Sequence, residues 1–173
     1  GIGSVSAQEM RAWQAAVVPM LPRGPEVGSV ENSAIPALHG NIPARLYRPN
    51  GAAKALIVYF HGGGWTIGSL DGWDAALRRL VLATNAAVVS VDYRLAPEHP
   101  FPAAVDDALT ATRWALSNVK ALAGEDVPVV VAGDSAGGNL SAVVSRVLCE
   151  ERVSPAVAAQ VLIYPSTDGN IDA

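Results

Sequence analysis

The chain has 173 residues, half of them hydrophobic and 16% charged, with a net charge of -4 and a pI near 5.3. That is enough chain for one domain with a sizeable core and too apolar a composition for a disordered segment. It also argues against a nucleic-acid partner, since no basic cluster is denser than Arg78-Arg79.

Residues 4–20 predict a helix, with Ala7, Met10, Trp13, Ala16 or Val17 and Met20 at helical spacing. Pro19, Pro22, Gly24 and Pro25 end it. Residues 29–48 predict two short strands with a turn at His39-Gly40-Asn41. Beyond them the pattern changes. Apolar strands are expected at 55–60, 86–91, 127–132 and 157–164. Helices are expected at 71–84 (Trp73, Ala76, Leu77, Leu80 and Val81 inward), at 102–119, and at 135–149 (Leu140, Val143 or Val144, Val147 and Leu148 inward). Wholly apolar strands alternating with helices predict an α/β fold, a mostly parallel sheet with helices on both faces.

Cys149 is the only cysteine, which excludes an internal disulfide and suits a reducing cytosol. It is read as a small hydrophobe buried on a helix. No stretch reaches the ~18–20 apolar residues of a membrane span: 80–91 is bounded by Arg79 and Asp92, and 153–167 is broken by prolines and Gln160. The N-terminus has no basic region followed by an apolar run, so no signal peptide is read and a cytoplasmic location is expected. Gly1 in place of Met is taken to reflect processing or trimming of that end.

Two motifs carry chemistry. Gly133-Asp134-Ser135-Ala136-Gly137 lies between a strand and a helix, the setting in which G-x-S-x-G forms a nucleophile elbow. Ser135 is the candidate nucleophile, and the helix after it turns its N–H groups and positive end toward a developing oxyanion. The plainer reading is a strand-to-helix turn with Ser135 as cap. His61-Gly62-Gly63-Gly64 follows the first apolar strand directly. A glycine run there suits backbone N–H groups aimed into a cavity, as in the oxyanion loop of some lipases and esterases. A phosphate cradle is the rival, but neither Gly-Lys-Ser/Thr nor G-x-G-x-x-G is present at this run. His61 is read as a loop organiser, Glu98 and His99 as parts of a loop packing the helix layer, and Asp106 and Asp107 as carboxylates favouring the positive end of a helix. Asp134 is assigned hydrogen bonds to nearby backbone and no proton transfer.

Four ordered segments resemble the hormone-sensitive-lipase family of α/β-hydrolases, bacterial esterase branch. They are His61-Gly62-Gly63-Gly64-Trp65, Asp92-Tyr93-Arg94-Leu95-Ala96-Pro97-Glu98, Gly133-Asp134-Ser135-Ala136-Gly137-Gly138-Asn139 and Leu162-Ile163-Tyr164-Pro165. The resemblance runs from about Arg45 onward. It implies an α/β-hydrolase fold, carboxylester hydrolysis through an acyl-enzyme, and no cofactor or metal. It implies an oxyanion hole built from Gly62, Gly63, Gly64 and Ala136, with Gly62 shaping the turn and the other three donating. It also implies an N-terminal cap segment over 1–25 and a core over 26–173, with Trp13 and Met20 as pocket walls. The alternative for those two is plain packing of an amphipathic helix.

The chain departs from the pattern at the base. In this fold the triad runs Ser, then Asp/Glu, then His, whereas His39, His61 and His99 all precede Ser135. Asp168 and Asp172 come too early to be assigned as the triad acid. The sequence is therefore expected to be the N-terminal piece of a longer esterase, its C-terminal strands missing or carried by a second chain, leaving 161–164 as an apolar edge strand. The leading reading is a serine carboxylesterase on a small-molecule ester of short to medium acyl chain. Esterase, lipase and amidase share these motifs. The alternative is a catalytically inactive ligand-binding module of the same fold.

Overall fold

The computed structural model describes residues 5–168. A hairpin of β1 (Ser29–Ala37) and β2 (Gly40–Arg48) opens the sheet, followed by β3 (Leu56–Phe60), β4 (Ala87–Val91), β5 (Val129–Asp134) and β6 (Ala159–Ile163). Their spatial order is β1-β2-β4-β3-β5-β6. The β1–β2 and β2–β4 pairs are antiparallel; β4–β3, β3–β5 and β5–β6 are parallel. The mostly parallel sheet read from the sequence is the one observed.

β3 and β4 are buried at every position, as central strands covered on both faces must be. The two-residue side-chain period splits them between two cores. Leu56, Val58 and Phe60 face α3 (Ala103–Ser117), α4 (Val119–Ala123) and α5 (Ala136–Glu150), whereas Ile57 and Tyr59 face α2 (Leu70–Thr84). Ala104, Ala108, Ala111 and Ala115 lie on the buried side of α3, where small side chains admit close packing. Leu140, Val144 and Leu148 recur every four residues on α5.

Several local expectations are corrected. The hairpin turn is Leu38-His39, with Ala37 paired to Gly40, and its strands are nine residues each. On α2, Ala76 is exposed and Arg78 is buried in its place, its Nε donating to Asp74 one turn back at 2.7 Å. Cys149 is exposed, one position past the inward Leu148. The expected helix at 102–119 is two, divided at Asn118.

The helix α1 (Ala7–Val17) starts from a capping box between Ser6 and Glu9 and runs into a 3-10 turn, Val18–Met20. It buries none of its residues, so polar contacts hold it. Arg11 donates from Nε to the Thr66 carbonyl at 2.7 Å, from Nη2 to the Ala96 carbonyl at 2.5 Å, and from Nη1 to both oxygens of Glu98. Gln14 accepts from the Gly68 N–H at 3.0 Å. β6 forms the far edge of the described sheet, with Val161 50% exposed and Tyr164, just past its end, 73%.

Candidate active site

Ser135 joins β5 to α5 with φ 50° and ψ -114°, a backbone strained for a residue with a Cβ and diagnostic of a built site. The strain is held from several sides. The Ser135 N–H donates to Ile163 O at 2.9 Å, and its carbonyl accepts from Asn139 and Ser166. The Asn139 side chain donates back to Ser166 O at 2.8 Å. Thus the Leu162–Pro165 motif acts as a brace for the elbow. The flanking glycines are there for close approach. A Cβ on Gly133 would lie 2.4 Å from Gly137 carbonyl atoms, and one on Gly137 would lie 1.8 Å from the Phe60 carbonyl oxygen. Ala136 is buried at the first position of α5, where its N–H has no intrahelical acceptor.

The glycine run leaves β3 beside this elbow. Gly62 directs its N–H to Asp134 Oδ1 at 3.0 Å, so that N–H is committed to the protein and is not free to donate to a ligand. Gly63 adopts φ +116°, and its carbonyl accepts from Thr66 and Ile67. Gly64 adopts φ +59°, its carbonyl accepting from the Thr66 hydroxyl. Among the described residues, the N–H groups of Gly63 and Gly64 have no protein partner. The Asp92–Glu98 segment braces this turn from outside. Tyr93 Oη donates to His61 O at 2.7 Å, and Ala96 N–H donates to Trp65 O at 2.8 Å.

A strained serine between a parallel strand and a helix, faced by a glycine turn from the neighbouring strand, is a specific arrangement. The family described as alpha/beta hydrolase fold matches residues 57–173. The chain belongs to this family. Among its relatives are the carboxylic ester hydrolase LipN of Mycobacterium tuberculosis, 46% identical over 91% of this chain, and the ethyl acetate hydrolase of Pseudomonas putida, 41% identical over 75%. The chain spans under half the length of these two proteins, 43% and 42% respectively. An esterase of Pyrobaculum calidifontis superposes with a TM-score of 0.85 at 42% identity, covering 94% of this chain and 53% of that one. The hormone-sensitive-lipase resemblance drawn from the motifs is met by these relatives.

Each histidine of this α/β-hydrolase has a defined place. His61 is fully buried, stacked on Tyr93 at 4.4 Å between centroids, with Nδ1 donating to Gly62 O at 2.7 Å. His39 places Nε2 3.2 Å from Asp107, which also takes Arg94 through its backbone and guanidinium. Asp107 is therefore a buried ion-pair partner rather than the helix-end charge expected; Asp106 alone keeps that place in the first turn of α3. His99 lines a cavity of about 520 Å³ beside Gly64, together with Trp65, Phe101, Val105 and Val143. Glu98 serves the α1 clamp rather than the helix layer. Trp13 and Met20 are 70% and 81% exposed and are not among the lining of that cavity. Asp168 bounds the described residues, and Asp172 lies outside them. Among the described residues no cluster of His, Cys, Asp or Glu could hold a metal, and no helix is long and apolar enough to cross a membrane.

Sequence reasoning missed the contacts of Arg11, Tyr59 and Trp73 with the glycine loop and the elbow. None carries a motif; each is separated from its partner by more than fifty residues along the chain.

Burial pushes the His61 imidazole below its ordinary 6.5, outweighing the Gly62 carbonyl and the Asp134 charge, both of which raise it. The unfolded chain therefore takes up this proton at a higher pH than the folded one. The stabilisation is fully present above about pH 6.5 and is lost as pH falls from there toward the folded value, by up to ~1.4 kcal/mol per pH unit. Urea unfolding midpoints are expected to drop between pH 7.5 and 5.5, and His61→Asn should flatten that slope. An unchanged slope in the variant would place the titration elsewhere.

Proposed function

We propose that this chain carries the nucleophile and oxyanion hole of a serine carboxylesterase acting on small esters of short to medium acyl chain. The observation that carries the reading is the strained Ser135 at the start of α5 beside the Gly63-Gly64 turn. Ser135 Oγ attacks the acyl carbonyl. The N–H groups of Gly63, Gly64 and Ala136 receive the oxyanion that forms. The alcohol leaves, and water then releases the acid from the acyl-enzyme. The apolar cavity beside Gly64 suits the hydrocarbon part of such a substrate. The names of the relatives, carboxylic ester hydrolase and ethyl acetate hydrolase, support the same class.

In this reading the general base is a histidine that does not belong to the 173 residues: His61 is spent on the oxyanion loop, His39 on Asp107, and His99, on the cavity wall, precedes Ser135 and so stands out of the Ser, acid, His order. The chain then keeps the share of catalysis that an oxyanion hole supplies without a base, ~10³–10⁴-fold over water. The test is covalent capture with a p-nitrophenyl phosphonate, read by p-nitrophenolate release and peptide mass. A stoichiometric adduct on Ser135 is expected to build up slowly, at the rate the oxyanion hole alone supports, and to be absent from Ser135→Ala. No adduct on the unmutated chain would overturn the esterase reading in favour of the ligand-binding module. Rapid turnover of p-nitrophenyl butyrate, lost in Ser135→Ala, would show that a histidine does reach the serine, from this chain or a companion.

A further inference from the structure

Asp134 stands one peptide bond before the nucleophile, and its carboxylate is buried. A single oxygen of that carboxylate, Oδ1, collects three donors from three parts of the fold. They are Tyr59 Oη of β3 at 2.9 Å, Trp73 Nε1 of α2 at 2.9 Å, and the Gly62 N–H of the glycine turn at 3.0 Å. The second oxygen sits where a Cβ on Gly62 would be, 2.2 Å from that position. The turn therefore fits against this carboxylate and no larger residue could replace Gly62.

We infer that Asp134 is the positioning residue that sets the spacing between nucleophile and oxyanion hole; this rests on the esterase reading of Ser135. The path is short and stiff. The carboxylate is fixed to the backbone that carries Ser135, and the Gly62 amide it holds is the peptide next to the Gly63 donor. Tyr59 and Trp73 fix the carboxylate's own orientation, so it cannot swing to follow a drifting loop. A charged acceptor holds its donors more strongly than a neutral one. Oxyanion donors work only when already placed where charge will develop, and misplacement by about 1 Å costs on the order of 10²-fold in rate. The burden therefore falls on whatever pins the turn. The opposite side of the turn is pinned by uncharged contacts, the Tyr93 hydroxyl and the His61 ring. Asp134 supplies the only carboxylate among the described contacts to Gly62.

The test is Asp134→Asn, which keeps the shape and removes the charge. Two readouts are taken on the unmutated chain and on the variant. In the first, phosphonylation of Ser135 by the p-nitrophenyl phosphonate, the limiting rate constant is expected to fall ~10- to 100-fold while the half-saturating probe concentration changes less than about threefold. In the second, ¹⁵N order parameters of Gly63 and Gly64 are expected to fall from the ~0.85 of rigid backbone toward ~0.6. A folded variant with unchanged rate and unchanged order parameters overturns the proposal. So does a loss confined to thermal stability. If the unmutated chain does not react with the probe, the esterase reading fails by itself, and the order parameters alone decide the positioning role. If Asp134→Asn does not fold, Tyr59→Phe and Trp73→Phe each release one restraint on the same carboxylate and are read in the same two ways.

Discussion

Gly137→Ala is expected to destabilise the fold by about 4 kcal/mol or more, placing it in the rare tail of single substitutions. The added Cβ would lie 1.8 Å from Phe60 O, 2.5 Å from Phe60 C and 2.7 Å from His61 O. All three are backbone atoms at the end of a central strand, so no flexible side chain can move aside. Relief requires parting α5 from β3, which opens the core that Leu140 and Phe60 share. Gly72→Ala is the control. Its nearest neighbours would lie 3.4 Å away, within a helix, and a change between neutral and ~1 kcal/mol stabilising is expected. Urea unfolding of the two variants beside the unmutated chain measures the difference. A Gly137→Ala protein within 1 kcal/mol of its parent would refute the account of the elbow given above.

Gly63→Ala is expected to leave a folded protein whose Ser135 reacts ~10²–10³-fold more slowly with the phosphonate. The residue holds φ +116° and a Cβ there would approach Ile67 O to 2.1 Å, so the turn must rearrange to accept it. The turn is at the surface end of β3, with Gly63 partly exposed and Gly64 exposed. The rearrangement can therefore be absorbed locally, unlike the one at Gly137. The loss falls on the transition state, where the displaced N–H groups would have acted. A thermal midpoint lowered by only a few degrees together with the rate loss is the expected pair of results. Full reactivity in a folded Gly63→Ala would remove this turn from the oxyanion hole.

The central sheet was legible because burial on both faces leaves a continuous apolar run, as in Leu56-Ile57-Val58-Tyr59-Phe60, which few other structures produce. The elbow was legible because close backbone approach excludes a side chain at Gly133 and Gly137, and the glycine turn because Gly63 and Gly64 hold positive φ; glycine at a fixed spacing records both. Contacts made by ordinary residues leave no such record. Arg78 is buried on α2 because Asp74 is within reach one turn away, but Arg78-Arg79 reads in sequence as two solvated charges. Asp107 reads as a helix-end carboxylate until Arg94 and His39 are seen around it. The N-terminal helix shows the converse. Its apolar spacing predicts an inward face, yet Trp13 is exposed and the helix is held by Arg11 and Gln14. Periodicity states that a helix is two-sided, not that its apolar side has a partner within the same chain.

The sheet order has a kinetic consequence. The glycine turn leaves β3 and the elbow leaves β5, and these strands lie side by side, Phe60 opposite Gly133. Between them in sequence come α2, β4, α3 and α4. The two halves of the site therefore meet only after a long loop has closed and a parallel register has been chosen, a step that is slow because its entropy is lost before its contacts are gained. Local helices can form early without bringing Ser135 any closer to Gly63. Reactivity of Ser135 should thus be among the last properties to return on refolding, appearing together with the β3–β5 pairing rather than with helical signal.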